Sequence, residues 1–292
     1  QAFPTQHVGD LDSASAREFL REVIVGLLEF LELTPALVVA DGHPDYPSTW
    51  LAREIAEVHG AEMLTVQHHL AHVAAVLAEH GRFPGPDESA LGLALDGTGW
   101  GPDGTAWGGE WLEVAGSLQW RRVAHLEPLS LVGGEAAVRE PWRVAVAALE
   151  ASGEGELVHR TPLAGLIAGD RLRAVAELAA SPSWPLASGA GRIFEAAAAI
   201  LGLATVNRWE GEAAVLLEGA AADIDHPVSP WTGINFENGP DGPVLPSGKL
   251  LAMTARRIAD GVSPARVAAE FHATFCRLVV DVTREVAAGR TT

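Results

Sequence analysis

Residues 90–110 read Ala90-Leu91-Gly92-Leu93-Ala94-Leu95-Asp96-Gly97-Thr98-Gly99-Trp100-Gly101-Pro102-Asp103-Gly104-Thr105-Ala106-Trp107-Gly108-Gly109-Glu110. The short apolar run that opens this stretch is the pattern of a buried strand. It passes directly into a glycine-rich turn and a second apolar run reaching Val114, which predicts a β-hairpin. Asp96 is expected at the C-terminal end of the first strand, where α/β folds expose ligand-binding groups, and the glycines after it let backbone amides approach an anion. Asp96 reads either as a third metal ligand or phosphate-side carboxylate, or as part of a plain hairpin whose glycines take positive φ. The loop lacks the lysine of a P-loop, which disfavours Walker-type phosphate binding.

Upstream, the link Gly81-Arg82-Phe83-Pro84-Gly85-Pro86-Asp87 marks an expected domain boundary, giving domains 1–88 and 89–292. Before it, apolar spacing predicts a helix over 14–33 capped by Asp12 or Ser13, a strand over 36–40 ending at Asp41-Gly42-His43-Pro44-Asp45, and a helix over 49–59 capped by Ser48. A strand over 63–66 then leads into a histidine-bearing helix. Such alternation of helices and strands predicts α/β layering. Downstream, helical patterns fall at 137–151, 163–178, 192–201, 210–221 and 265–288.

Gln67-His68-His69-Leu70-Ala71-His72 places His68 and His72 one helical turn apart, so both imidazoles project from one face and can share a cation. The bland alternative is one histidine at the helix start and ordinary surface or core positions for the others. Three further stretches join glycines to a charge at a helix start, where free amides and the helix dipole favour an anion. They are Val132-Gly133-Gly134-Glu135 with Arg139 and Arg143 soon after, Ala187-Ser188-Gly189-Ala190-Gly191-Arg192, and Trp209-Glu210-Gly211-Glu212. Simple helix caps and a surface salt-bridge pair are the competing readings.

The chain has 292 residues, of which 48% are hydrophobic, enough to bury one large core or two medium ones. Its net charge of −18 repels phosphate backbones and anionic lipid, so no nucleic-acid or membrane partner is expected. Cys276 is the only cysteine, which excludes a disulfide framework and a cysteine metal cluster and fits a reducing cytoplasm. The opening at Gln1 and the close at Arg290-Thr291-Thr292 are expected to be cut ends of a longer protein.

Taken in order, these segments resemble the last, Kae1-like domain of the hydrogenase-maturation carbamoyltransferases of the HypF type. The marks are Gln6 to Leu11, Asp41 to Thr49, Gln67 to His72, Asp96 to Glu110, Gly133 to Arg143, Ser188 to Gly202, and Glu210 to Ala214. The resemblance implies an α/β fold of two ribonuclease-H-like lobes, of the sugar-kinase, Hsp70 and actin-like (ASKHA) class, with a helical insert. It implies a divalent metal, zinc or iron, on His68, His72 and Asp96. It implies a nucleotide, ATP or carbamoyl adenylate, at Gly97, Thr98, Gly99, Gly101, Gly133, Gly134, Glu135, Ser188, Gly191, Arg192, Glu210, Gly211 and Glu212, with Arg139 and Arg143 orienting the substrate.

The implied reaction moves a carbamoyl group, derived from carbamoyl phosphate and ATP, to the C-terminal cysteine of the partner HypE for cyanide-ligand synthesis. No nucleophile is needed from this chain, so Cys276 is expected to be inert. The histidine run reads His69-Leu70 where a third consecutive histidine is common in the family, and both outer positions are intact. The family's preceding acylphosphatase-like, zinc-finger and adenylate-forming domains, its first strand, and its closing Ser-Gly-Gly loop with a late Asp are expected outside this sequence. The rival readings are a small-molecule O-carbamoyltransferase of secondary metabolism and a non-catalytic nucleotide- or partner-binding remnant.

Overall fold

The computed structural model describes residues 2–116 and 119–289; Gln1 and Arg290 to Thr292, which frame the expected cut ends, lie outside the described residues. The chain divides into two compact units, Gln1–Ala71 and His72–Thr292.

The first unit runs α1 (Ala14–Phe30), β1 (Leu37–Asp41), α2 (Pro47–His59), β2 (Glu62–Val66) and the start of α3 (His68–Glu79). Ser13 caps α1 by accepting from the Ala16 amide at 3.1 Å. The expected Ser48 cap of α2 is replaced: Tyr46 holds the N-cap and Pro47 the first helical position, where its missing N–H costs nothing. β1 and β2 pair in parallel, Leu37 opposite Glu62 through Asp41 opposite Val66. Leu20, Ile24 and Leu28 of α1 line a cavity of about 500 Å³ together with Val38, Ala52 and Ile55.

The second unit continues α3 and opens its sheet with β3 (Ser89–Trp100), β4 (Ala106–Ala115), β5 (Trp120–Leu126) and β6 (Leu129–Ser130). A helical region follows: α4 (Glu135–Arg139), α5 (Trp142–Ala151), a 3₁₀ turn at Gly155–Arg160, α6 (Leu163–Leu166) and α7 (Gly169–Ala179), then β7 (Leu186–Ala187), α8 (Ala190–Ile200) and α9 (Glu212–Ala222). The unit closes with β8 (Glu237–Gly239), β9 (Gly242–Leu245), α10 (Ser247–Ala259) and α11 (Pro264–Ala288). Among the described residues these strands make a seven-stranded sheet, in which β3, β4 and β5 form an antiparallel meander and β9 joins β5 in parallel.

Trp111, Trp142, Phe271, Leu126, Ile193 and Leu250 are among the largest side chains wholly inside the core beneath this sheet. Burying each contributes on the order of 1.5–3 kcal/mol relative to exposure.

Several expected elements are revised. The helix expected over 137–151 breaks at Glu140-Pro141, because proline cannot donate into α4 and instead opens α5. The helix expected over 163–178 is split into α6 and α7 at Ile167, which is extended at ψ 135. α9 begins at Glu212, not Glu210, since Gly211 takes a left-handed φ of 79°. α10 was not foreseen; its first turn holds Gly248, whose amide donates to Glu127 at 2.8 Å. Cys276 lies on α11, as its apolar setting suggested, but its own position is exposed.

Candidate functional site

β3 does not stop at Asp96. Leu95 pairs with Gly109 and Gly99 with Trp107, so Asp96, Gly97 and Thr98 together oppose Gly108 in a bulge. The bulge corrects the expectation of a strand end and gives Asp96 a similar freedom to turn its carboxylate out of the ladder. Its Oδ1 accepts from the Gly97 amide at 2.6 Å and its Oδ2 lies 3.5 Å from Nε2 of His72. His72 and Asp96, with Val73, Val76 and Leu77 of α3 and residues 91–95 of β3, line a groove of about 420 Å³. α3 packs closely there: a Cβ on Gly92 would meet Val73 Cγ1 at 2.4 Å, so glycine is required.

At the start of α3, Gln67 does the capping: its Oε1 accepts from the Leu70 amide at 2.8 Å. Gln67 Nε2 lies 3.1 Å from Nδ1 of His69, which is fully buried. His69 is therefore a core residue, while His68 and His72 share the helix face that the four-residue spacing predicted. His68 Nδ1 sits 2.7 Å from Asp41 Oδ2. Imidazole and carboxylate groups are donors of the kind that hold zinc or ferrous iron.

The glycine-rich segments meet in a junction of backbone against backbone. A Cβ on Gly189 would fall 2.1 Å from the Gly97 carbonyl oxygen, one on Gly108 2.7 Å from that of Asp96, and one on Gly191 3.0 Å from Gly97 Cα. Gly101 is held by the Trp107 ring, which a Cβ would approach to 2.3 Å. Thr98 is exposed, Gly99 buried.

Two buried carboxylates that sequence reasoning left unassigned lie at this junction. Glu110 accepts from Ser188 Oγ and, at 3.3 Å each, from the amides of Gly108 and Gly109, and burial pushes its carboxyl up. Glu195 pairs with Arg192, Oε1 to Nη2 at 3.0 Å, and burial, only partly offset by Arg192, raises its carboxyl to about 7. Glu110 and Ser188 are 78 residues apart and leave no local signal, whereas Arg192 and Glu195 are three residues apart on α8, at helical spacing.

The remaining expected residues separate into other clusters. Arg143 pairs with Glu140, lies 5.0 Å from the Trp142 ring centre and faces Gly133, with Nη1 3.5 Å from a Cβ placed there. Arg171 joins the same Glu140 at 2.8 Å, and the two guanidiniums hold that carboxyl low despite partial burial. Gly134 caps the short α4, Glu135 opens it, and Arg139 closes it exposed. Arg139 offers its carbonyl to the Asn207 amide at 2.8 Å, and Asn207 Oδ1 caps α9 at Ala213 N, 3.1 Å. Glu212 is engaged by Arg208, Nε to Oε1 at 2.8 Å, which lowers its carboxyl; Glu210 is exposed and adds a repulsion that raises Glu195.

Two family models cover most of the chain: the HypF Kae1-like domain matches residues 1–79, and the carbamoyltransferase Kae1-like domain, second subdomain, matches residues 92–292. The chain belongs to the HypF carbamoyltransferase family. Carbamoyltransferase HypF2 of Cupriavidus necator is 41% identical over 94% of this chain, and HypF of Rhizobium leguminosarum bv. viciae 44% identical over 75% of it. The crystal structure of T. kodakarensis HypF superposes with a TM-score of 0.82 at 30% identity over 99% of the chain. Full-length HypF in a phosphate- and nucleotide-bound form superposes at 0.79, 27% identity, over 96%. The fold is accordingly the Kae1-like α/β fold of HypF. The chain spans 35% and 27% of the two sequence relatives and 38% and 42% of the two solved HypF chains. Among the described residues no helix is long and apolar enough to cross a membrane.

Proposed function

We propose that this chain is the carbamoyl-transfer part of a HypF-type enzyme of hydrogenase maturation, acting in the cytoplasm. It holds a carbamoyl adenylate, formed from carbamoyl phosphate and ATP, for attack by the C-terminal cysteine of HypE. The thiolate sulfur forms a bond to the carbamoyl carbon as the carbon–oxygen bond to AMP breaks, and AMP leaves. The protein's part in such acyl transfer is positioning and charge stabilisation.

The observation that carries this reading is the pairing of His72 with Asp96 at 3.5 Å in the bulge of β3, with His68 one turn earlier on the same helix. We assign His68, His72 and Asp96 to a divalent metal, zinc or iron, which when bound supplies Lewis acidity. The nucleotide lies over the glycine junction of Gly97, Thr98, Gly99, Gly101, Ser188, Gly191 and Arg192. The loops at Gly133, Gly134 and Glu135 and at Glu210, Gly211 and Glu212 border it, with Arg139 and Arg143 toward the substrate. Membership of the HypF family and the nucleotide-bound state of one solved relative support this assignment.

Elemental analysis of the wild-type chain and of the His68→Ala, His72→Ala double variant tests it, with circular dichroism as folding control. The expected result is about one metal per chain, lost in a folded variant. A wild-type chain that neither carries nor takes up zinc or iron would overturn the metal assignment.

A further inference from the structure

The loop from Asp41 to Thr49 is not used by the site as assigned so far, yet it is tightly built. The Gly42 amide donates to the Val66 carbonyl at 2.9 Å, tying the end of β1 to the end of β2 just before the histidine helix. His43 stacks on Tyr46 with ring centres 3.9 Å apart, and its Nδ1 accepts from the Asp45 amide at 3.1 Å. Thr49 Oγ1 donates to the His43 carbonyl at 3.0 Å.

This framework fixes one carboxylate by both oxygens. Asp41 Oδ1 accepts from the His43 amide at 2.8 Å, and Asp41 Oδ2 lies 2.7 Å from His68 Nδ1. An ionised carboxylate can only accept, so the imidazole nitrogen facing it must carry the proton. In a neutral ring that assignment puts the lone pair on Nε2.

We propose that Asp41 is a positioning residue for the metal site: it selects the Nδ1–H tautomer of His68 and fixes the ring plane, so that Nε2 is the ligand atom. The inference rests on the metal assignment above, but concerns a residue outside the ligand set. A carboxylate on the far nitrogen of a ligating histidine orients the ring and raises its basicity, and its loss weakens metal binding about 10–100-fold.

Asp41→Asn is the decisive variant. Its amide oxygen can still accept from the His43 N–H, which leaves an NH₂ group opposite His68. An NH₂ group donates, so His68 must accept at Nδ1 and move its proton to Nε2. Two measurements on the 292-residue chain test this. Long-range proton–nitrogen correlation on the metal-free chain, at a pH about two units above the ordinary imidazole range, reads the tautomer directly. Chelator competition with Zn²⁺ reads affinity.

The expected result is an Nδ1–H tautomer in the wild type, a shift toward Nε2–H in Asp41→Asn, and zinc affinity lower by about 10–100-fold in a variant of unchanged circular dichroism. Asp41→Ala is the second variant, losing affinity without imposing the opposite tautomer. An Nε2–H tautomer in the wild type, or undiminished zinc affinity in both variants, would overturn the proposal. Failure of the wild type to bind zinc while its His68 is Nδ1–H and responds to Asp41→Asn would count against the metal assignment alone.

Discussion

Glu195→Gln isolates one buried charge. Glu195 sits on α8 with 2% of its surface exposed, and burial against a single guanidinium lifts its carboxyl from an ordinary 4.5 to about 7. The folded chain therefore binds the proton more tightly than the unfolded chain does. The stability this group contributes is fully present below its unfolded value of 4.5 and is lost as the pH rises through about 7. At about 1.4 kcal/mol per unit, the loss between about pH 5 and about pH 8 comes to about 2.5 kcal/mol. Glutamine keeps the shape and an oxygen for Arg192 but cannot titrate. Urea unfolding of both proteins at the two pH values gives a difference of differences, in which the other ionisable groups cancel. Glu140, Glu212, Asp103 and Glu270 have lowered carboxyls and lose their contribution at more acid pH, outside this window. Wild type should lose about 2.5 kcal/mol more than the variant on going from the lower to the higher pH. Equal slopes in the two proteins would refute the argument that Glu195 is buried and poorly compensated.

Gly189→Ala should destabilise the second unit by about 3 kcal/mol, because the atoms its Cβ meets belong to backbone and cannot rotate away; a urea midpoint within error of wild type would show that the junction is looser than its 2.1 Å approach implies. Gly219→Ala should do the opposite, raising stability by about 0.5–1 kcal/mol, since nothing lies within 4 Å and the position is inside α9. A fall in thermal midpoint for Gly219→Ala would mean that α9 is packed more tightly than described.

The parts of the site that could be read from the sequence are those with a short period. His68 and His72 announce themselves by helical spacing, and the hairpin by two apolar runs around a glycine turn. Asp41 could not be read, because its partner His68 is 27 residues away and only the parallel pairing of β1 with β2 brings them together. Glu110 and Ser188 are 78 residues apart and meet through the contact of β4 with β7. Asp96 is expected at a strand end and lies instead in a bulge: whether a strand ends or bulges depends on register with its partner, which one strand does not carry. α10 opens on Pro246-Ser247-Gly248, and the carboxylate that accepts from the Gly248 amide belongs to Glu127, 121 residues away in sequence.

The glycines around Asp96 suggest a nest of amides waiting for an anion, and the hydrogen bonds argue otherwise. The Gly97 amide donates to Asp96, and the amides of Gly108 and Gly109 donate to Glu110. Gly108, Gly109, Gly189 and Gly191 are instead required by steric approach, each Cβ falling within 3.0 Å of a neighbouring atom. Gly97 differs, because a Cβ there would meet only Arg192 Nη2, at 3.8 Å. The junction is thus a floor cleared of side chains, over which a flat or phosphorylated group can lie close. Its positive charge comes from a guanidinium and not from amides: Arg192 Nε and Nη1 are buried with no hydrogen-bond partner among the described residues. A guanidinium held on one side by Glu195 and short of acceptors on the others retains donors that an anion could satisfy, at the cost of the buried pairing that partly offsets the burial of Glu195. Under the proposed nucleotide assignment, affinity and the ionisation of Glu195 are coupled through Arg192, and Glu195→Gln should change the pH dependence of nucleotide binding in the same window in which it changes stability.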